Sequence, residues 1–142
     1  MTRRKAPGFA FASAKKSLLP SWDMSLVFVK PEDAQRLNRQ LRRKTYTPNV
    51  LSYATDTRSG EIIICLEIAK EQAPSYELSY TDFVGLLFIH ALLHLKGYRH
   101  GTTMDKSERA YLARLSGSTT THGSTHRNRN RHRDLSNKGR HR

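Results

Sequence analysis

The sequence has one cysteine, one tryptophan and only 12 acidic side chains among its 142 residues. A single cysteine excludes an internal disulfide and suits a reducing cytoplasm, and Cys65 lies in an apolar run where we expect it to be buried. No apolar run reaches the roughly 20 residues that span a bilayer. The apolar run 8–12 is also shorter than a signal-peptide core of about 7–15 residues. We therefore predict a cytoplasmic protein without a membrane segment.

The scarcity of acidic residues leaves a formal net charge of +13, which is unevenly distributed. Residues 1–20 hold five basic and no acidic side chains, and residues 116–142 hold seven basic and one acidic. The interval 21–115 is nearly balanced, with thirteen basic against eleven acidic residues. Each phosphate neutralised by a basic side chain releases a counterion, so the basic ends predict a polyanionic partner. The alternative is a solvated tail that only aids solubility.

The length suits one domain, which we place at residues 21–115. Residues 1–20 are predicted to be mostly irregular and poorly ordered, although Leu18 and Leu19 are able to dock on the domain. Residues 116–142 are rich in polar and basic residues that cannot bury a core, so we predict a disordered basic tail.

Within the domain, apolar periodicity and local start and stop signals predict alternating strands and helices. Pro31 suits the first turn of a helix that ends in basic residues, and Thr81-Asp82 is able to cap a second helix. The interval 69–80 is ambiguous because Pro74 interrupts it. The predicted strands cover residues 24–29, 50–53 and 61–68, and the predicted helices begin at 31, about 82 and 104 and end near 44, 96 and 115.

Three histidines in the second helix and its exit follow the spacing H-x3-H-x2-G-x2-H. His90 and His94, four residues apart, lie on one face of a helix. Gly97 is able to adopt the left-handed conformation that ends a helix and so to return His100 to the same point. Three imidazoles around zinc leave a fourth position for water, which is typical of a catalytic site. The alternative is a pair of hydrogen-bonded core histidines.

Metzincin proteases use the same spacing, but with a glutamate after the first histidine as general base. Here that position is Ala91, so the peptidase interpretation loses its chemistry. The tail repeats the i, i+4 spacing at His122 and His126, and His132 and His141 follow. With no apolar scaffold to hold them, we interpret the tail histidines as solvated side chains.

Several segments, in order, carry a resemblance to a known family. They are the strand 25–29, Leu37-Asn38 followed by Arg42-x-Lys44, the block Asn49-Val50-Leu51-Ser52-Tyr53, the strand 60–65, and the histidine motif 90–100. In this order and spacing they resemble the YbeY endoribonucleases, bacterial rRNA maturation factors. The likeness covers about residues 21–115.

The resemblance implies an α+β fold with a small mixed β-sheet and a central buried helix that carries a three-histidine zinc site. It implies one zinc ion per chain on His90, His94 and His100, and it places the family's functional arginine on Arg42. The implied activity is metal-dependent cleavage of single-stranded RNA, in 16S rRNA 3′-end maturation and ribosome quality control, with the small ribosomal subunit as partner. The alternatives are an rRNA-binding assembly factor with a mainly structural zinc, and a zinc hydrolase of other substrates.

The chain also departs from the family pattern. Ala91 stands in place of a glycine, Arg99 in place of the aspartate before the third histidine, and Pro48 in place of a threonine. The family places a strand and a helix before the position of residue 21, so we expect the sheet to lack an edge strand or to gain a poorer one from residues 1–20.

The implied reaction uses a zinc-bound water, whose pKa falls to about 7. Arg42, with Arg43 or Lys44, is predicted to stabilise charge on the phosphoryl oxygens. Tyr98, Glu108 and a second water are all open as the general acid.

Overall fold

The computed structural model describes residues 6–116, which form an α+β fold of five α-helices, one short 3-10 helix and three strands. The predicted tail, with its four histidines, lies outside the described residues apart from Ser116. The elements, in chain order, are α1 (Phe11–Leu18), β1 (Asp23–Val29), α2 (Pro31–Arg42), β2 (Val50–Asp56), β3 (Ser59–Cys65), α3 (Leu66–Gln72), the 3-10 helix (Ala73–Tyr76), α4 (Tyr80–Lys96) and α5 (Thr102–Leu115).

The three strands form a small mixed sheet in the order β1-β3-β2, as the resemblance implied. β1 runs parallel to β3, with Val27 opposite Ile63. β2 runs antiparallel to β3, with Leu51 opposite Ile63, and the register shifts between Ala54 and Asp56. The central strand β3 is the most apolar of the three because it is paired on both sides and covered on both faces.

Side chains of β3 alternate between two apolar clusters, one on each face of the sheet. Ile62 and Ile64 belong to the larger cluster, which includes α1 and α4. Ile63 and Cys65 belong to a smaller cluster with Ala34 of α2. Cys65 is 1% exposed, as predicted. Helices α2 and α4 therefore pack on opposite faces, and α4 is the central helix, buried from Phe83 to Leu93.

The expectation that residues 1–20 are mostly irregular is wrong for the described part of that segment. Residues Phe11–Leu18 form helix α1, in which Ala14 and Leu18 are fully buried. The ring centre of Phe11 lies 5.1 Å from that of Phe88 in α4. An eight-residue helix has little stability of its own, so its formation depends on this packing. Residues 6–20, the described part of the segment, supply a helix to the domain and not an edge strand.

The other differences from the sequence prediction concern element ends. Strand β3 ends at Cys65 and not at residue 68, because the chain turns directly into α3, and the ambiguous interval 69–80 contains the rest of α3 and the 3-10 helix. Helix α4 begins at Tyr80, where the hydroxyl of Ser79, and not the pair Thr81-Asp82, accepts the Asp82 N–H at 3.1 Å.

Among the helices of residues 6–116, none is by itself long and apolar enough to cross a membrane. The segments Leu66–Tyr76 and Tyr80–Lys96 meet the length and composition of a span only when taken together, and they are bent by 104° with respect to each other.

Candidate metal centre

The histidine motif occupies the C-terminal half of α4 and the turn that follows it. Gly97 ends the helix with φ 112°, in the left-handed region as predicted. Its N–H donates to the carbonyl of His94 at 3.1 Å, and the N–H of Tyr98 donates to the carbonyl of Leu93 at 3.0 Å. These bonds satisfy carbonyls at the helix end and reverse the chain direction.

The turn brings His100 back beside the two helical histidines. The centre of its ring lies 5.2 Å from that of His90 and 5.6 Å from that of His94, with the ring planes inclined by 12° and 14°. His90 is buried, at 9% exposure, whereas His94 and His100 are exposed. The three imidazoles thus form a cluster with one buried and two solvent-facing members.

The spacing of the rings fits a shared zinc ion. With zinc–nitrogen bonds of about 2.1 Å at tetrahedral angles, the centres of two bound imidazole rings lie about 5 Å apart. As the side chains stand, no three His, Cys, Asp or Glu groups within residues 6–116 are arranged to hold a metal ion. The donor set and its spacing fit zinc, and binding would require the nitrogens to turn towards one point.

The buried member of the cluster has a carboxylate partner from another helix. Nδ1 of His90 is hydrogen-bonded to Oε2 of Glu108 in α5. Glu108 is 5% exposed, and burial raises the pKa of its carboxyl while the hydrogen bond with His90 opposes that rise. Because Glu108 lies behind His90 in the interior, it is poorly placed to protonate a leaving group, which weakens its case as general acid.

From the sequence, Glu108 was considered only as a possible general acid, and its contact with His90 was not predicted. A weak signal was present, since Met104 and Glu108 lie four residues apart on one face of α5 and both are buried. An acidic residue in register with a buried methionine indicates a carboxylate that needs an internal partner. The identity of that partner depends on how α5 packs on α4, which no local pattern gives.

Arg42 occupies the last turn of α2, on the opposite face of the sheet from α4. Its guanidinium donates to the hydroxyl of Tyr46 at 3.2 Å. Arg43 follows in the left-handed conformation, with φ 60°. The fold therefore places Arg42 across the sheet from the helix that carries His90 and His94.

The other residues singled out from the sequence have ordinary surroundings. Arg99 is exposed directly before His100, and Pro48 is buried before Asn49. Tyr98 is half-buried against the larger apolar cluster. Ala91, at 1% exposure, lies in α4 and belongs to the larger apolar cluster.

Comparison with known proteins provides evidence that is independent of this geometry. The family model described as "Endoribonuclease YbeY" matches residues 8–116. Proteins of that name are 33% identical over 110 residues in Staphylococcus carnosus, covering 69% of this chain and 72% of the relative, and 37% identical over 83 residues in Bdellovibrio bacteriovorus, covering 57% and 55%. The match begins at residue 8, so it includes helix α1, which lies before the stretch of resemblance found from the motifs.

A solved structure shows the same fold. The solution structure of TM1509 from Thermotoga maritima superposes with a TM-score of 0.59 at 21% identity, covering 82% of this chain and 90% of that one. At this level of identity the likeness concerns the fold alone. Together the family match and the relatives identify an endoribonuclease, a nuclease of the hydrolase class.

Proposed function

Because this chain belongs to the YbeY family of endoribonucleases, we propose that it cleaves single-stranded RNA with the help of one zinc ion held by His90, His94 and His100. The observation that carries the proposal is the meeting of these three rings at spacings of 5.2 and 5.6 Å. We further propose that the RNA is the 3′ end of 16S rRNA on the small ribosomal subunit, with a role in ribosome quality control.

The three histidines of the cluster differ in their exposure to solvent. His90 is fixed in the interior, whereas His94 and His100 face solvent and leave the centre open to a polymeric substrate. A zinc ion held by these three residues would supply Lewis acidity and lower the pKa of a water to about 7, which would suit phosphodiester hydrolysis near neutral pH. The absence of a carboxylate at position 91 is then no obstacle, because the nucleophile needs no neighbouring glutamate.

Arg42 is proposed to bind a phosphate of the RNA. Its bond to Tyr46 engages one nitrogen of the guanidinium, and the remaining N–H groups form a planar fork that matches phosphate oxygens. Phosphate binding needs no direct contact between Arg42 and the histidines, which agrees with its place on α2. The basic termini add attraction for RNA that depends on salt.

The alternative proposal is an assembly factor that binds rRNA and uses zinc for stability. Arg99, an exposed cation directly before His100, favours it, since it stands where the family pattern has an acidic residue. The two proposals share RNA binding and differ in whether the phosphodiester bond is broken.

The test is cleavage of a labelled single-stranded RNA by the His94→Ala variant, with a duplex of the same sequence as a second substrate. We expect loss of cleavage and of bound zinc together, and no cleavage of the duplex by the unaltered protein. The double variant His122→Ala/His126→Ala is the matched control, because it removes two histidines at the same spacing and should retain both properties. Cleavage by His94→Ala at the normal rate would refute the proposal. Zinc binding without cleavage by the unaltered protein would favour the assembly factor.

A further inference from the structure

The buried contact between α4 and α5 assigns a role to Glu108. We infer that Glu108 is the positioning residue of His90, with its carboxylate accepting the Nδ1–H of the imidazole and leaving Nε2 unprotonated for a metal ion. The inference deepens the proposed function, on which its metal-binding part rests.

The chemistry of the pair determines which nitrogen carries the proton. An ionised carboxylate only accepts hydrogen bonds, so the proton of this bond is carried by Nδ1. A neutral imidazole carries one N–H, and the other nitrogen then has a free lone pair. Histidine ligands of metals commonly donate their second N–H to a carboxylate or carbonyl, which fixes both the tautomer and the ring orientation.

The surroundings of the pair restrict its motion. His90 and Glu108 are 9% and 5% exposed, so water does not compete strongly for the bond. Glu108 belongs to a 14-residue helix whose Met104, one turn earlier, is also buried in the larger apolar cluster. Helix α5 therefore holds the carboxylate in place, and the link 97–101 that joins the two helices contains the third histidine. The fold of α5 is thus a condition for a correctly oriented His90.

The role of the other two histidines differs. His94 and His100 face solvent and gain their orientation from α4 and from the turn at Gly97. We expect His90 to be the anchoring member of the set, because its ring is held from behind before any metal arrives. A metal ion then does not have to order the His90 side chain, which lowers the entropic cost of binding.

The first experiment measures the tautomer of His90 by ¹⁵N NMR of its ring nitrogens in the metal-free protein. We expect the proton on Nδ1 in the unaltered chain. In Glu108→Ala we expect a shift towards the Nε2–H form, which a free imidazole prefers. A proton on Nε2 in the unaltered chain, or an unchanged tautomer in the variant, would overturn the inference. This measurement involves no zinc, so it is independent of the proposed function.

The second experiment measures zinc affinity by competition with a chelator. We expect Glu108→Ala to weaken binding by about 10- to 100-fold, the usual effect of losing such a partner, and Glu108→Gln to weaken it less because its amide oxygen is able to accept the same bond. Glu71→Gln, at an exposed position on α3, is the control and should bind as the unaltered chain does. Equal affinity in all variants would overturn the positioning role, whereas no zinc binding by any of them would refute the proposed function alone. If Glu108→Ala does not fold, the zinc affinities of Glu108→Gln and Glu71→Gln are compared, and equal affinities would overturn the positioning role.

Discussion

Replacing Gly85 by alanine tests whether the N-terminal segment docks on α4. A Cβ atom built at Gly85 would lie within 2.7 Å of three atoms of the Phe9 ring, which no real Cβ contact permits. Alanine in a helix interior by itself is more stable than glycine by about 1 kcal/mol, and forcing a methyl group into filled space costs about 1–3 kcal/mol. We therefore expect Gly85→Ala to lower the free energy of unfolding by up to about 2 kcal/mol.

The sign of the effect should reverse when the ring of Phe9 is removed. In a Phe9→Ala background the new methyl group meets no ring, so Gly85→Ala should raise the free energy of unfolding by about 1 kcal/mol. The coupling between the two sites is then about 1–3 kcal/mol in a double-mutant cycle. Neither local helix propensity nor general damage to the core predicts such a reversal.

Equilibrium urea unfolding supplies the free energies. Trp22, the one tryptophan of the chain, packs against the larger apolar cluster and gives a fluorescence signal for its loss. Leu51→Ala is the control background, because Leu51 belongs to the smaller cluster on the opposite face of the sheet. There Gly85→Ala should remain destabilising. The same effect of Gly85→Ala in the Phe9→Ala background as in the unaltered chain would refute the docking of residues 9–18.

Three further predictions concern the site and the basic regions. Gly97→Ala should cost about 1–2 kcal/mol in urea unfolding and weaken zinc binding, since its φ of 112° both ends α4 and returns His100; unchanged zinc affinity would contradict this. Arg42→Lys should weaken binding of single-stranded RNA because lysine lacks the planar guanidinium fork. Arg39→Lys, at an exposed position of the same helix, is the control and should weaken it less. Equal effects would contradict a special role for Arg42. Deleting residues 117–142 keeps the bond of Ser116 to Asp82 and should lower RNA affinity without changing the zinc content. The slope of log affinity against log salt should fall by about 0.7 for each phosphate that the tail neutralises. An unaltered slope would show that the tail does not bind RNA.

The elements with strong local signals were predictable from the sequence. Pro31 starts α2, and the isoleucine run of β3 marks the central strand. Gly97 ends α4 as predicted, because few residues other than glycine adopt its backbone conformation easily. These features depend on residues close together in the chain, so the sequence pattern contains them directly.

The elements that depend on distant contacts were not predictable. Helix α1 exists through the packing of Phe11 on Phe88, a partner 77 positions further along the chain. The Nζ atom of Lys96 donates to the carbonyl of Leu18 at 3.0 Å, across 78 positions. Local patterns carry no information on such pairs, and the basic, glycine-containing segment was therefore interpreted as irregular.

The candidate site also contains features that were predictable from the sequence and features that were not. The spacing of His90, His94 and His100 along the chain is enough to predict that the three rings lie near one another. Glu108 was named from the sequence as a possible general acid, but its contact with His90 was not predictable because that contact joins two helices. The relation of Arg42 to the histidines depends on which face of the sheet each helix covers, and the motif alone does not give that.

RNA cleavage by metal-stripped protein shows whether the activity depends on zinc. The protein is freed of metal with a chelator, its remaining zinc is measured, and it is incubated with labelled single-stranded RNA before and after zinc is restored. We expect no cleavage without metal and recovery of cleavage as zinc reaches one ion per chain. Full cleavage by protein that contains no metal would contradict this expectation.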